Sequence, residues 1–516
     1  MDRRAEPVSP WPGRLAALCV AGLVLGSLAA VLWRAEGGRG FGPAEWQALR
    51  FTVLQAVLSA GLSVALAVPV ARALARRVFP GRQALITLLG APFILPVIVA
   101  VLGLLQVFGR SGWLSDLLGV PVQIYGLHGV VLAHVFFNLP LATRLILQGW
   151  QDVPAERFRL SAQLGATPRD IRVLLEWPML RRTVPGALAV VFAICLTSFA
   201  VALTLGGGPR ATTIELAIYQ AFRFDFDLGR AAVLSCVQIG LTALAAGLAL
   251  RVSAGDGFAA GLDRPVQRWD ARGWGYRLLD AGWITAAAAF LLLPILAIVL
   301  SGLGRVLYLP AAVWQAALLS VLVALASAML LLLLAVPIAI AVAAGRARLE
   351  LAGLLGLAAS PLVIGTGLFI VIHPLADPFA LALPVTAGVN AVMALPFALR
   401  ILVPQARQVM GDFRRLGLSL NMVGWPFLRW VLLPRMRPAI GFAAGLGAAL
   451  SMGDLGVIAL FADPETATLP LQIYRLMGAY RMPDAAGASL LLLVLSMGLF
   501  WIFDRGGRWH VASGSH

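Results

Sequence analysis

Asp454 stands where a carboxylate is costly, inside an apolar run that reads Gly453-Asp454-Leu455 and continues to Phe461. An ionised group in hydrocarbon must face a cavity, a partner charge or a polar neighbour. Facing a cavity, it would stabilise a passing cation; paired with a helix terminus or polar neighbour, it would only fix packing. Both readings stay open on sequence alone. Tyr219 and Tyr474 close two similar segments that begin at Thr213 and Thr468, and they suit either interfacial anchoring or the wall of a solute path. His128 and His134 invite a metal reading, but their spacing does not put them on one helix face. Cys19, Cys195 and Cys236 all fall in apolar runs without CxxC or Cys/His spacing, so neither a disulfide framework nor a zinc site is expected. The chain has no nucleophile, base and acid constellation, no cofactor fingerprint and no GxxxxGK[ST] phosphate loop. No metal, no bound cofactor and no catalytic residue is expected.

Composition sets the elements that must hold these groups. Hydrophobic residues make up 60% of the 516 positions and charged residues 12%, with a mean hydropathy of +0.89, far from the mix of a soluble domain. Continuous rather than alternating apolar runs of about 20 residues cross a bilayer as helices. Spans are predicted at 15–33, 52–74, 84–108, 128–149, 185–206 and 231–251, then at 281–304, 314–344, 350–372, 382–402, 438–461 and 485–503. The expected fold is an all-α polytopic membrane protein with about twelve transmembrane helices. The run 314–344 is too long for one crossing, so its C-terminal end should project. The first span follows a basic start but has the length of a retained anchor rather than a signal peptide.

A net charge of +16 would suggest nucleic acid in a soluble protein, but the placement of the charge points elsewhere. All 40 basic side chains are arginine. They cluster in alternate loops, while Glu36, Glu45, Asp225, Asp227, Asp377, Asp463 and Glu465 fall in the intervening ones. The positive-inside rule then puts both termini in the cytoplasm and requires an even number of spans. Membrane lipid, and not nucleic acid, is the expected surrounding. Asp225, Asp227, Asp463 and Glu465 on the outer face are either simply solvated or a docking patch for a partner.

The arginine-rich loops include one that occurs twice. Arg159-Leu160-Ser161 to Pro178 returns as Arg415-Leu416-Gly417 to Pro434, at an offset of 434 minus 178, or 256. Trp46-Gln47-Ala48 returns as Trp314-Gln315-Ala316 at an offset of 268, and Thr213 to Tyr219 resembles Thr468 to Tyr474 at 255. The chain is therefore read as two fused copies of one unit. Residues 1–251 form the first half, with its loop at about 151–183; 252–280 is a cytoplasmic linker; 281–505 is the second half, with its loop at about 403–437; 506–516 is a tail. With an even number of spans in each, both halves point the same way. Leu160, Leu164, Ile171 and Leu175 keep apolar partners in Leu416, Leu420, Phe427 and Val431, although a loop in water has no lipid reason to keep them. The stripe should pack on something. Gly165 and Pro168 in one copy, and Gly424 and Pro426 in the other, are expected to break each loop into two short helices.

These loops resemble the EAA loop of bacterial ABC-importer permeases, whose pattern is Glu-Ala-Ala, three residues, Gly, then nine residues before Ile-x-Leu-Pro. The first copy matches through Gly165, Leu175 and Pro178; the second carries Asn421, Val431 and Pro434, and Arg159 and Arg415 replace the glutamate. Asn tolerates a left-handed turn better than other non-glycine residues. Leu205 to Gln220, and Gly453 to Phe461 followed by Thr468-Leu469-Pro470, resemble the thiamine branch of that family. The resemblance implies two tandem six-helix type I permease halves in a bacterial inner membrane. It implies two copies of a separate cytoplasmic ATPase that hydrolyses ATP, and a periplasmic substrate-binding protein. Arg159, Leu160, Leu164, Gly165, Ile171, Pro178, Arg415, Leu416, Leu420, Asn421, Phe427 and Pro434 would then couple the ATPases to transport of thiamine or its phosphate esters. A ferric-iron permease and a proton-driven twelve-helix transporter are the alternatives.

Overall fold

The computed structural model describes residues 8–35, 41–89, 94–252, 273–461 and 466–508. Most of the linker, the last residues of the tail, and Asp463 and Glu465 lie outside these ranges. The described residues are helical and contain no strand. The first part of the chain forms α1 (Trp11–Ala35), α2 (Pro43–Arg76), α3 (Arg82–Leu88), α4 (Val97–Phe108), α5 (Trp113–Leu118) and α6 (Leu127–Gln151). It continues with α7 (Ala155–Gln163), α8 (Pro168–Ile171), α9 (Trp177–Leu196), α10 (Phe199–Leu205), α11 (Ile214–Arg223) and α12 (Leu228–Val252). The second part forms α13 (Trp274–Leu303), α14 (Ala311–Ala343), α15 (Leu351–Ala358), α16 (Pro361–Ile372) and α17 (Ala382–Ser419). It ends with α18 (Trp425–Phe427), α19 (Leu433–Met452), α20 (Gly456–Phe461), α21 (Leu469–Gly478) and α22 (Met482–Arg508).

Ten of the described helices are long and apolar enough to cross a membrane, or eleven if α15 and α16, bent by 88°, count as one broken span. The twelfth expected position is α19. Arg435 and Arg437 near its start, with Gly441, Gly445 and Gly447 further on, dilute its hydropathy. The long run in the second half is a helix of 33 residues, about 50 Å at 1.5 Å per residue, so it does outrun one crossing.

Side-chain anchors repeat along with the helices. Thr52 Oγ1 accepts the backbone N–H of Ile214 at 2.9 Å, and Ser320 Oγ accepts that of Leu469 at 2.7 Å. Thr52 and Ser320 are 268 apart, and Ile214 and Leu469 are 255 apart, so the same bond ties α2 to α11 and α14 to α21. Each hydroxyl satisfies a buried first-turn N–H that the helix itself cannot.

The halves are not side by side. α1 packs on α14 and α16 as well as on α12, and α13 packs on α2 and α4 as well as on α22. Each first helix thus lies across the other copy. Small residues permit the crossings: a side-chain carbon at Gly103 on α4 would fall 2.5 Å from the Pro294 carbonyl of α13, and one at Gly367 on α16 would run into the Ser27 backbone of α1.

One crossing is also charged. Arg72 Nε donates to Glu176 Oε1 at 3.2 Å, Arg76 lies 3.5 Å from the same carboxylate, and Arg77 Nε donates to Asp280 Oδ2 at 2.7 Å. The cluster joins the end of α2, the turn before α9, and α13. In the other copy the positions of Arg72, Arg76 and Glu176 hold the apolar residues Ile340, Ala344 and Leu432.

Candidate functional site

α9 stops at Leu196 and resumes as α10 at Phe199; α19 stops at Met452 and resumes as α20 at Gly456. These breaks are equivalent in the repeat, and a cavity of about 390 Å³ opens between them, walled by both copies. Its aromatic lining is Phe137, Phe199 and Phe397, and its polar lining includes His134, Asn138, Glu215, Asn390, Ser451 and Asp454. No arginine lines it. Its acidic lining is Glu215 and Asp454.

Asp454 lines this cavity, and it serves a packing role at the same time. Its Oδ1 accepts the N–H of Gly456 at 3.1 Å and caps α20, while Oδ2 is buried without a hydrogen-bond partner. His134 and Asn390, equivalent at an offset of 256, face the cavity from α6 and α17. His134 Nδ1 lies 3.1 Å from Ser59 Oγ, and Asn390 Nδ2 donates to Ser451 Oγ at 3.0 Å. Tyr219 and Tyr474 are not among the lining residues. Tyr219 backs the wall instead, its ring 5.3 Å from that of Phe199.

The paired loops form a second candidate site. In the first, α7 ends in a left-handed Gly165 (φ 68°), and in the second α17 ends in a left-handed Asn421 (φ 53°). The bonds that close the two turns also match. Ala166 N donates to Ser161 O at 3.0 Å, and Met422 N to Gly417 O at 2.8 Å, the helix-ending pattern that satisfies orphan carbonyls. Pro154 interrupts the helix between α6 and α7, whereas Met410 at the equivalent position lets α17 run on for 38 residues.

The apolar stripe divides in two. Ile171 and Phe427 are buried against the chain's own helices, at 1% and 0% exposure, with Leu175 and Val431 partly covered. Leu160, Leu164, Leu416 and Leu420 are exposed at 56%, 76%, 53% and 61%. Inner residues therefore seat each loop and outer ones remain unpartnered. Arg159, Arg415, Pro178 and Pro434 are exposed beside them. Just before each of these prolines the helix widens into a π turn, Arg172–Glu176 in one copy and Leu428–Leu432 in the other. A proline in a helix cannot donate and crowds the carbonyl four residues back. One inserted residue relieves the crowding.

No protein-family model matches the chain. Curated relatives span it almost end to end. The thiamine transport system permease protein ThiP of Escherichia coli is 38% identical over 538 aligned positions, covering 98% of each chain. Its namesake in Brucella suis is 40% identical over 97% of this chain and 96% of its own, and that of Haemophilus influenzae 34% over 87% and 86%. This chain belongs to the thiamine transport system permease family. Members of that family are transport components and not enzymes.

Two features of this thiamine-family permease escape a reading of sequence. Glu215 sits in a ten-residue helix and looks like part of an amphipathic segment until α11 is placed against the cavity. The Arg72, Arg76, Glu176 and Asp280 cluster draws on residues up to 208 positions apart, 280 minus 72, with no local pattern to join them.

Proposed function

We propose that this chain is the membrane-spanning permease subunit of an ABC importer that moves thiamine or its phosphate esters from periplasm to cytoplasm. It sits in a bacterial inner membrane with both termini in the cytoplasm. A periplasmic binding protein delivers the solute, and two copies of a separate ATPase bind and hydrolyse ATP. Closure of the ATPase pair draws the two loops together, and the halves, each clasped by the other's first helix, rock to expose the cavity to one side and then the other.

The observation that carries the substrate reading is the cavity. It offers two carboxylates, no cationic side chain and three aromatic rings. A thiazolium is a flat organic cation, which the rings and carboxylates would hold together. A ferric ion would call for a shell of oxygen ligands in place of phenyl rings. Deleting the gene should abolish thiamine uptake at nanomolar-scale supply and leave iron acquisition intact; unchanged thiamine uptake with iron acquisition lost would favour the iron reading.

Coupling falls to the loops. Exposed Leu160, Leu164, Leu416 and Leu420 fit grooves in the two ATPases, with Arg159, Arg415, Gly165 and Asn421 at the turns, Ile171 and Phe427 as inner anchors, and Pro178 and Pro434 at the joints. Replacing Leu164 or Leu420 with Asp should uncouple ATP hydrolysis from uptake while the protein stays in the membrane. Normal coupling in both variants, measured as uptake per ATP hydrolysed, would remove the docking role.

A further inference from the structure

We infer that Glu215 and Asp454 together form an organic-cation subsite inside the translocation cavity, with Glu215 the residue that selects for charge. The inference rests on the transport reading above and names the groups that would recognise the solute.

Glu215 is 1% exposed and lines the cavity. Its orientation is fixed from behind. Gln238 Nε2, on α12, donates to Glu215 Oε1 at 3.3 Å and to the carbonyl of Leu196, at the break in α9, at 2.9 Å. Glu215 Oε2, Asp454 Oδ2 and His134 Nε2 are buried without a hydrogen bond, although Ser360 stands close to Glu215 and Asn390 close to Asp454. A carboxylate kept only for packing would have both oxygens satisfied, since an unmet buried acceptor costs stability. Three unmet polar atoms on residues that line one cavity describe a place for a ligand that brings donors and positive charge.

The duplication supplies an internal control. The counterpart of Glu215 at an offset of 255 is Pro470, and that of Asp454 at 256 is Ser198. α21 folds with Pro470 where α11 has Glu215, and the break before α10 forms with Ser198 where the other has Asp454. Neither element needs a carboxylate to fold. By contrast the Thr52 and Ser320 anchors, which hold the fold, keep a hydroxyl in both copies. Each copy has thus acquired one charge that its twin does without, and both charges line the same cavity. A buried carboxylate retained on those terms acts on something that passes.

The ligand class is a planar monocation small enough for about 390 Å³, with N–H groups for the free carboxylate oxygens and ring faces for Phe137, Phe199 and Phe397. The test uses the assembled importer in proteoliposomes, with binding protein and ATP, and compares uptake of thiamine with uptake of its neutral thiophene isostere. Because the same binding protein serves every variant, a changed ratio reports on the permease. Glu215→Gln should lower the thiamine-to-isostere ratio about tenfold, the size of one lost charge contact, and Asp454→Asn should lower it less. A ratio unchanged in both variants, or both solutes falling together, overturns the subsite. If Glu215→Gln does not assemble, Asp454→Asn carries the test, with Glu215→Asp, which keeps the charge, expected to hold the ratio near that of wild type. Failure of the wild-type complex to carry thiamine at all would strike the transport reading itself, a result separate from any effect of the variants.

Discussion

Gly165 and Asn421 turn the chain through the same left-handed conformation, and the difference between them is energetic. Glycine enters that region freely, asparagine at small cost, and a β-branched residue at about 1–2 kcal/mol. Asn421→Gly should therefore leave thermal stability in detergent unchanged or slightly raised, and Asn421→Val and Gly165→Val should each lower it. A Val variant as stable as wild type would mean that the turn opens when strained. This much was legible in sequence, because turn chemistry is local and the repeat aligned an Asn with a Gly. Asp454 was legible for a similar reason, as a charge in an apolar run. Glu215 was not. Its helix is short, the residues around it are polar as well as apolar, and only the packing of α11 against α12 and α16 turns it toward the cavity.

Among elements, the two copies are joined to their loops by unlike hinges. The turn before α9 is held by buried Glu176 between Arg72 and Arg76, whereas the equivalent positions before α19 and along α14 are Leu432, Ile340 and Ala344. Removing one member of a buried cluster strands its partners, so Glu176→Ala should destabilise by about 3–5 kcal/mol. Copying the apolar joint, with Glu176→Leu, Arg72→Ile and Arg76→Ala together, should recover most of that loss in a detergent unfolding measurement. A triple variant no better than Glu176→Ala would show that the charges, and not the packing they occupy, hold the joint. The π turns ahead of Pro178 and Pro434 are a further shared device. Each inserts one residue into the helix and so fixes the rotation of the loop relative to the span. Pro178→Ala or Pro434→Ala should allow the regular turn to return and weaken the coupling of ATP hydrolysis to uptake without preventing insertion; unaltered coupling would leave the prolines a local role only. The prolines were readable in the loop motif, but the π turn was not, since it depends on how the helix is seated at both ends.

For the whole molecule, the tandem repeat, the helical class and the positions of most spans could be read from hydropathy and offsets. The exchange of first helices could not, because an apolar helix carries no mark of which copy it will lie against. α1 on α14 and α16, and α13 on α2 and α4, mean that neither sequence half contains its own complete wall. Residues 1–251 and 281–505 expressed as separate chains should accordingly co-purify, whereas independent, monodisperse halves would contradict the exchange. In the proposed rocking motion, moving one loop would drag a helix that packs on the other copy. The central claim is that this machine carries a thiamine cation at the cost of ATP. Radiolabelled thiamine uptake into proteoliposomes that contain the permease, its ATPase and its binding protein measures this directly. The account predicts uptake that requires ATP on the loop side and persists when the proton gradient is collapsed; uptake that survives without ATP and vanishes with the proton gradient would contradict it.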